Sequence, residues 1–217
     1  MTLPEQNRRA RAYAGDSDHD AVVGTLAVGY LGRRSMLIAD APGDVDGTAI
    51  DAPVIGVRYW FTPLLGLDVG LGMAINGAGL TTPAGDQPAA DTSAFILHGG
   101  VPLALAASQH FVFEVIPEMN IGFSSWGNDA PGPAELSASG FHLDIGARAG
   151  AEIHFGFIGL PKLSLQGTVG LVFASDSTSF EDATGATVKR SYTTFGTTVH
   201  DSPWNIFTSN VAALYYF

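Results

Sequence analysis

Residues 141–156 read FHLDIGARAGAEIHFG. On an extended chain Phe141, Leu143, Ile145, Ala147, Ala149, Ala151, Ile153 and Phe155 share one face. His142, Asp144, Gly146, Arg148, Gly150, Glu152, His154 and Gly156 share the other. Side chains of a strand alternate between faces, so this stretch is a strand with one apolar wall and one polar wall. The pattern recurs at 66–76, where Leu67, Val69, Leu71, Met73 and Ile75 oppose Asp68, Gly70, Gly72, Ala74 and Asn76. It recurs again at 110–124, where Phe111, Phe113, Val115, Met119, Ile121 and Phe123 oppose Val112, Glu114, Ile116, Glu118, Asn120 and Gly122.

Extending the same reading gives eight strands, at 21–32, 52–62, 66–76, 93–106, 110–124, 141–157, 162–174 and 204–217. The connections after the second, fourth and sixth are short, around Pro63-Leu64-Leu65, Ala107-Ser108-Gln109 and Ile158 to Pro161. Those after the first, third, fifth and seventh are long and rich in Gly, Pro, Asp, Ser and Thr: 33–51, 77–92, 125–140 and 175–203. Short turns at one end and long loops at the other is the pattern of membrane barrels, and an even strand number brings both termini to the short-turn end.

Alternation alone fits a soluble barrel with its apolar face inward or a membrane barrel with the reverse. The glycines favour the second. Gly70, Gly72, Gly146, Gly150 and Gly156 lie on the polar face, where they make room in a narrow interior; on a water-exposed face they would only weaken the strands. The aromatic residues fall at two levels. Tyr59, Phe61, Phe111, Phe113, Phe155, Tyr215 and Phe217 are at the short-turn end, and Tyr30, Phe95, Phe123, Phe141, Phe173 and Phe207 at the other, as expected for girdles at two membrane interfaces. The fold expected is all-β, an eight-stranded antiparallel up-and-down transmembrane β-barrel over 21–217 with four long outer loops, after a flexible periplasmic tail at 1–20.

The composition agrees. Charged residues make up 14% of the 217-residue chain, against roughly 25% in ordinary soluble domains. No stretch approaches the ~18 consecutive apolar residues of a membrane helix. The formal net charge of −11 argues against a nucleic-acid partner. The absence of cysteine means that the fold needs no disulfide. Residues 1–20 contain no apolar stretch of signal-peptide type, although Ala12-Tyr13-Ala14 has the form of a cleavage site, so the numbering is expected to be that of a mature or re-engineered chain or of a missed start.

The last strand, WNIFTSNVAALYYF, ends in Phe217 with Tyr215, Ala213 and Val211 on the same face. It resembles the C-terminal assembly signal of bacterial outer-membrane proteins. The segment VIGVRYWFTPLLGLDVGLG at 54–72 resembles the strand–turn–strand hairpins of the OmpA/OmpX/OmpW-like small barrels. The resemblance covers 21–217 and is one of architecture. It implies the outer membrane of a Gram-negative bacterium, the barrel-assembly machinery as a partner, and contact with outer-membrane lipid and lipopolysaccharide. An appended wall-binding domain of OmpA type is not expected within these 217 residues.

Parity places Arg58, Asp68, His98, Glu114, Glu118, Asn120, His142, Asp144, Arg148, Glu152, His154 and Gln166 in the interior. Eight strands leave an interior just wide enough for side chains to fill, and charges there need partners. Arg58 and Asp68, on neighbouring strands near one turn, are expected to pair, and Arg148 to reach Glu118. The reading is a salt-bridged polar plug. Its alternative is a narrow cation-selective path exploiting five acids against two arginines. A metal at His142, Asp144 and His154 is not expected, because His154 lies twelve residues down the strand, and no cofactor is expected.

Pro102 and Pro117 lie inside strands four and five, nearly opposite each other. Prolines cannot donate to a ladder. They are read either as tolerated bulges or as a lateral seam, similar to the wall gaps of OmpW-like barrels and of the lipid A palmitoyltransferase barrel, which would imply passage of hydrophobic solutes or lipid access. An enzyme is not expected. His142 with Asp144, and His200 with Asp201 and Ser202, lie in no acyl-transfer motif, and three consecutive residues on an extended chain make a poor relay. The function expected is structural or surface-recognition, through outer loops that meet a surface protein, with a conduit for small or hydrophobic solutes as the alternative.

Overall fold

The computed structural model describes residues 17–38, 48–77, 79–82, 85–88, 91–128, 136–181, 184–199 and 203–217. After a short helix α1 (Asp18–Val22) the described residues form twelve antiparallel strands: β1 (Leu26–Ile38), β2 (Thr48–Trp60), β3 (Gly66–Asn76), β4 (Gly79–Thr82), β5 (Gly85–Pro88), β6 (Asp91–Gly100), β7 (Leu103–Ala107), β8 (Phe111–Asn128), β9 (Leu136–Phe155), β10 (Leu160–Glu181), β11 (Thr187–Thr197) and β12 (Val211–Tyr216). Among the described residues β4 and β5 pair with each other and not with the main sheet.

The main sheet closes on itself. Neighbours pair in the order β1, β2, β3, β6, β8, β9, β10, β12, and β12 returns to β1 with Ala27 opposite Tyr216 and Tyr30 opposite Ala213. The result is a ring of eight strands without an edge at this level, the arrangement that satisfies every backbone ladder. Strand β7 continues β6 along β8 after a break at Val101 and Pro102.

The ring is polar inside and apolar outside. Arg58, Glu114, Glu152 and His154 are fully buried, whereas Leu71 and Ile145, on the opposite faces of neighbouring wall positions, are each 53% exposed. Outward-facing Phe95, Phe123, Phe141 and Phe173 are exposed at one level and Phe61, Phe111, Phe113 and Tyr215 at the other.

Four sequence expectations need correction. The segment 17–20, expected as tail, enters α1 and buries His19, because Ser17 caps the helix by accepting from the Asp20 amide; residues 1–16 lie outside the described residues. The expected outer loops are in large part paired strand. β8, β9 and β10 run past the ring, and β11 lies inside the expected loop 175–203, where the β-branched and aromatic side chains of Thr187, Val188, Tyr192, Thr193, Thr194 and Phe195 suit an extended strand paired with Leu171–Glu181. The eighth strand is short: only Val211–Tyr216 is extended, and Pro203–Phe207 forms a 3-10 turn. No gap opens at the prolines. Gly100 pairs with Glu118 and Leu103 with Val115, and between them the Val101 amide donates to the Pro117 carbonyl at 2.9 Å. On the other side the Gly66 amide donates to the Pro102 carbonyl at 2.9 Å. Pro102 is buried and Pro117 faces outward. The ladder bridges the expected seam because both prolines contribute their carbonyls, and a proline loses only its donor.

Candidate functional site

The interior side chains form three tiers along the ring axis. At the short-turn end α1 closes the opening. The Asp18 amide donates to the Gln109 carbonyl at 2.9 Å, and the Asp18 carboxylate meets His110 Nδ1 at 2.7 Å. His19 Nε2 donates to the Pro63 carbonyl at 2.9 Å, and its ring stands edge-on to Trp60 at a centroid distance of 4.6 Å. Burial holds the His19 imidazole below its ordinary pKa. Val22, Trp60, Ala27, Leu214 and Tyr216 form the apolar packing beneath it. The sequence reading left His19, Trp60 and Tyr216 out of the interior set; Trp60 and Tyr216 share the inward parity of Arg58 and Ala212.

The middle tier is organised by Arg58. Its Nε and Nη2 contact the two Asp68 oxygens at 2.7 Å each. Nη1 contacts Glu152 at 2.9 Å and Glu114 at 3.4 Å, and Nη2 also donates to Gln166 Oε1 at 3.1 Å. All five N–H groups of the guanidinium are thereby used. Gln166 Nε2 donates to Glu114 at 2.8 Å, and Tyr216 donates to Glu152 Oε1 at 2.9 Å while accepting from Trp60 Nε1 at 3.1 Å. His154 lies below, its Nδ1 donating to the Pro161 carbonyl at 3.2 Å. A buried charge without partners is very costly; here one cation is shared among three carboxylates and an amide.

The upper tier centres on Glu118. Arg148 Nη2 contacts it, and Arg34 Nη2 donates to both of its oxygens at 3.0 and 3.2 Å. Arg148 Nη1 also donates to Thr168 Oγ1 at 3.0 Å. A chain of contacts then runs around the wall: His98 Nδ1 to Asn120 Oδ1 at 2.7 Å, Asn120 Nδ2 to Asp144 Oδ1 at 2.7 Å, Asp144 Oδ2 to His142 Nε2 at 2.9 Å, and His142 Nδ1 to Asp176 Oδ1 at 2.8 Å. Both His142 nitrogens face carboxylates, an arrangement that the imidazolium satisfies by donating twice.

Arg34 was missed by the sequence reading, which ended the first strand at 32. The β1–β2 register shifts between Tyr30 and Arg33, and Gly32 adopts a φ of 102°. An extra residue in one strand reverses its parity. Below the bulge Ala27 and Leu31 point inward; above it Arg34, Met36 and Ile38 do. Arg34 adds a third arginine to the interior, while Asp176, past the expected end of the seventh strand, adds a sixth acid, so the excess of three acids over arginines expected from parity is unchanged. The Leu31-Gly32 step, with glycine in the left-handed region, is the signal that could have revealed Arg34.

Above this tier the β1–β2 hairpin leans across the mouth. The Leu37 carbonyl accepts from Ser124 Oγ on β8 at 3.0 Å, and Met36 packs on the bare backbone of Gly122. Beside the hairpin, against β10 and β11, a half-open chamber of about 330 Å³ remains.

The twelve interior residues read from parity all lie within the ring, buried. The structure brings together Arg58, Asp68, Glu114, Glu152 and Gln166 in one tier and Glu118 with Arg148 in the next. It keeps His154 apart from His142 and Asp144. Among the described residues no group of three or more His, Asp or Glu side chains converges as a metal site would require. His200, Asp201 and Ser202 lie outside the described residues. Val211, Ala213, Tyr215 and Phe217 lie on the outward side of β12, Phe217 closing its amide on the Leu26 carbonyl at 2.9 Å.

No family model matches the chain. No curated protein matches it either. Among solved structures it is similar to a major outer membrane protein from Thermus thermophilus, with a TM-score of 0.41 and 16% sequence identity over 89% of this chain and 98% of that one. A likeness of that degree assigns neither architecture nor activity.

Proposed function

We propose that the ring is an eight-stranded β-barrel embedded in an outer membrane, with a closed interior, and that it acts as a structural or surface-recognition protein through the end carrying the long hairpins. The observation that carries this is the inversion of polarity. Leu71, Leu97, Met119, Ile145, Val169 and Leu171 form an exposed outer wall, each at least 44% accessible, while charged side chains fill the inside. Water-soluble monomers rarely expose contiguous apolar patches beyond a few hundred Å², and a closed ring of strands is one of the two structures whose backbone is satisfied in hydrocarbon. The two aromatic levels match the two interfaces of a bilayer. The outer membrane is supported by short turns at one end against long hairpins at the other.

The closed interior is supported by three barriers in series: α1 under Trp60, the Arg58 cluster, and the Arg34–Glu118–Arg148 cluster beneath the β1–β2 hairpin. The finer resemblance to OmpA/OmpX/OmpW-like barrels rests on the 54–72 hairpin and the last strand. Under this reading the chain contacts lipid and lipopolysaccharide, is inserted by the barrel-assembly machinery, and is not an enzyme. The test is conductance of the purified protein in planar bilayers. A silent, membrane-inserted protein is expected; steady cation-selective openings would contradict the closed interior and return the carboxylates to the role of a conduction path.

A further inference from the structure

Beside the β1–β2 hairpin lies a chamber that the interior network does not fill. β12 is only six residues long. Above it β10 pairs with β11 instead, and β1 leans away toward β8, so the upper wall parts between β1 and β10–β11. Arg34, Glu118 and Asn210 form the floor, His142, Asp144 and Asp176 one wall, and Ser35, Thr194, Thr198 and Ser209 the rim; Leu37, Val172 and Ala174 supply a small apolar strip. At about 330 Å³ the space is within the lower range of small-molecule pockets.

The charges around it are already matched. Arg34 is paired with Glu118, Arg33 with Asp51 at 3.2 Å, and His142 lies between Asp144 and Asp176. Each guanidinium that lines the chamber already holds a carboxylate, Arg33 that of Asp51 and Arg34 that of Glu118, which Arg148 shares. Among the described residues that line the space no Phe, Tyr or Trp occurs, and the His142 imidazole is held by a carboxylate at each nitrogen, so no broad stacking surface is offered to a planar ring. What remains is hydrogen-bonding capacity without net charge. Asp176 commits Oδ1 to His142, which leaves Oδ2. Thr198 Oγ1 accepts from the Gly170 amide at 2.9 Å and keeps its own O–H to donate. Thr194 adds a further hydroxyl at the rim.

We infer that this chamber binds a small neutral polyhydroxylated molecule, a sugar of one or two rings, whose hydroxyls meet Asp176, Thr194 and Thr198 and whose C–H face lies on Leu37, Val172 and Ala174. The inference goes beyond the proposed function and does not depend on it, because the chamber is formed by the fold whether or not the ring lies in a membrane. A sugar unit at this end would supply the recognition role with a ligand chemistry.

The test is titration of the detergent-solubilised full chain with glucose, galactose and N-acetylglucosamine, each compared with glucosamine and glucose 6-phosphate, by saturation-transfer NMR. At least one neutral sugar is expected to bind more tightly than either charged counterpart. Ala174→Phe, which fills the chamber and touches no ion pair, is expected to abolish the signal. Thr194→Val, at an exposed rim position, is expected to weaken it about tenfold, a change of roughly 1.4 kcal/mol, and keeps the test valid if Ala174→Phe does not fold. Binding by none of the neutral sugars, tighter binding of glucose 6-phosphate, or binding unchanged in both folded variants would overturn the assignment. None of these outcomes bears on conductance, so failure here is distinguishable from failure of the proposed function.

Discussion

Arg58 on β2 and Asp68 on β3 are direct register partners and meet at two points, Nε to Oδ1 and Nη2 to Oδ2, each at 2.7 Å with both side chains almost fully buried. Such a two-point contact fixes the guanidinium plane, and the plane aims Nη1 at Glu152 and Glu114. Replacing Arg58 by Met would leave three buried carboxylates facing each other. Removing one partner of a buried pair costs about 3–5 kcal/mol, and this partner serves three. Arg58→Met is expected to lower the urea midpoint of the detergent-folded protein by at least that equivalent. Asp68→Asn is expected to cost less, because Arg58 keeps Glu114, Glu152 and Gln166. Equal losses in the two variants would show that Arg58 does not organise the tier.

The hairpin over the mouth depends on Gly122. A Cβ there would collide with the Met36 side chain. Gly122→Leu is therefore expected to lift β1 from β8, break the Ser124–Leu37 hydrogen bond and open the hairpin to added protease, while the lower ring remains folded. Unchanged proteolysis of the β1–β2 hairpin would mean that Met36 does not hold it down.

The bulge at Leu31–Gly32 sets which residues of β1 face inward. Replacing Gly32 by Val, which disfavours a φ of 102° and whose Cβ would meet the Ser209 carbonyl oxygen, is expected to force the residue into the regular ladder and reverse the parity above it, turning Arg34 and Met36 outward and bringing Arg33 and Ser35 in. Glu118 would then keep Arg148 but lose Arg34. The expected readout is a protein that folds poorly or with a lower melting point by circular dichroism. A variant as stable as the parent would show that the bulge is incidental.

The closure by α1 should depend on pH. His19 is held below its ordinary pKa of 6.5, first by burial, against the Pro63 carbonyl, which keeps Nε2 protonated as a donor in the neutral ring. The folded segment thus disfavours proton uptake. Its docking is fully stable above about pH 6.5 and weakens as the pH falls through the lower folded value. Amide exchange at Asp20 and Ala21, and the fluorescence of Trp60 under the His19 ring, are expected to report loosening in acid. His19→Gln is expected to flatten that dependence. An unchanged acid response in the variant would move the cause elsewhere.

Much of the ring was legible in the sequence because both of its faces obey period two without interruption. In β9, fifteen consecutive residues at 141–155 alternate, and the inward glycines mark where the walls approach. The Arg58–Asp68 contact followed from a short turn between two such strands. Three features were not legible for physical reasons. Arg34 lies past a bulge, and one inserted residue inverts every assignment beyond it. β11 is written in Thr and Ser, which serve loops and exposed strands alike, so composition did not separate them. α1 is five residues long and is held by tertiary contacts from Gln109, His110 and Pro63 rather than by its own periodicity.

The claim on which the rest depends is that the apolar outer wall faces lipid. The chain contains no cysteine, so single cysteines can be introduced and spin-labelled without background. With labels at Leu71, Leu97, Ile145 and Leu171 in lipid vesicles, collision with oxygen and with a water-soluble nickel complex measures what each position touches. All four are expected to be open to oxygen and protected from nickel, whereas a label at Lys189 on β11 is expected to meet nickel freely. Nickel access at the four wall positions equal to that at Lys189 would place the wall in water and contradict the membrane barrel.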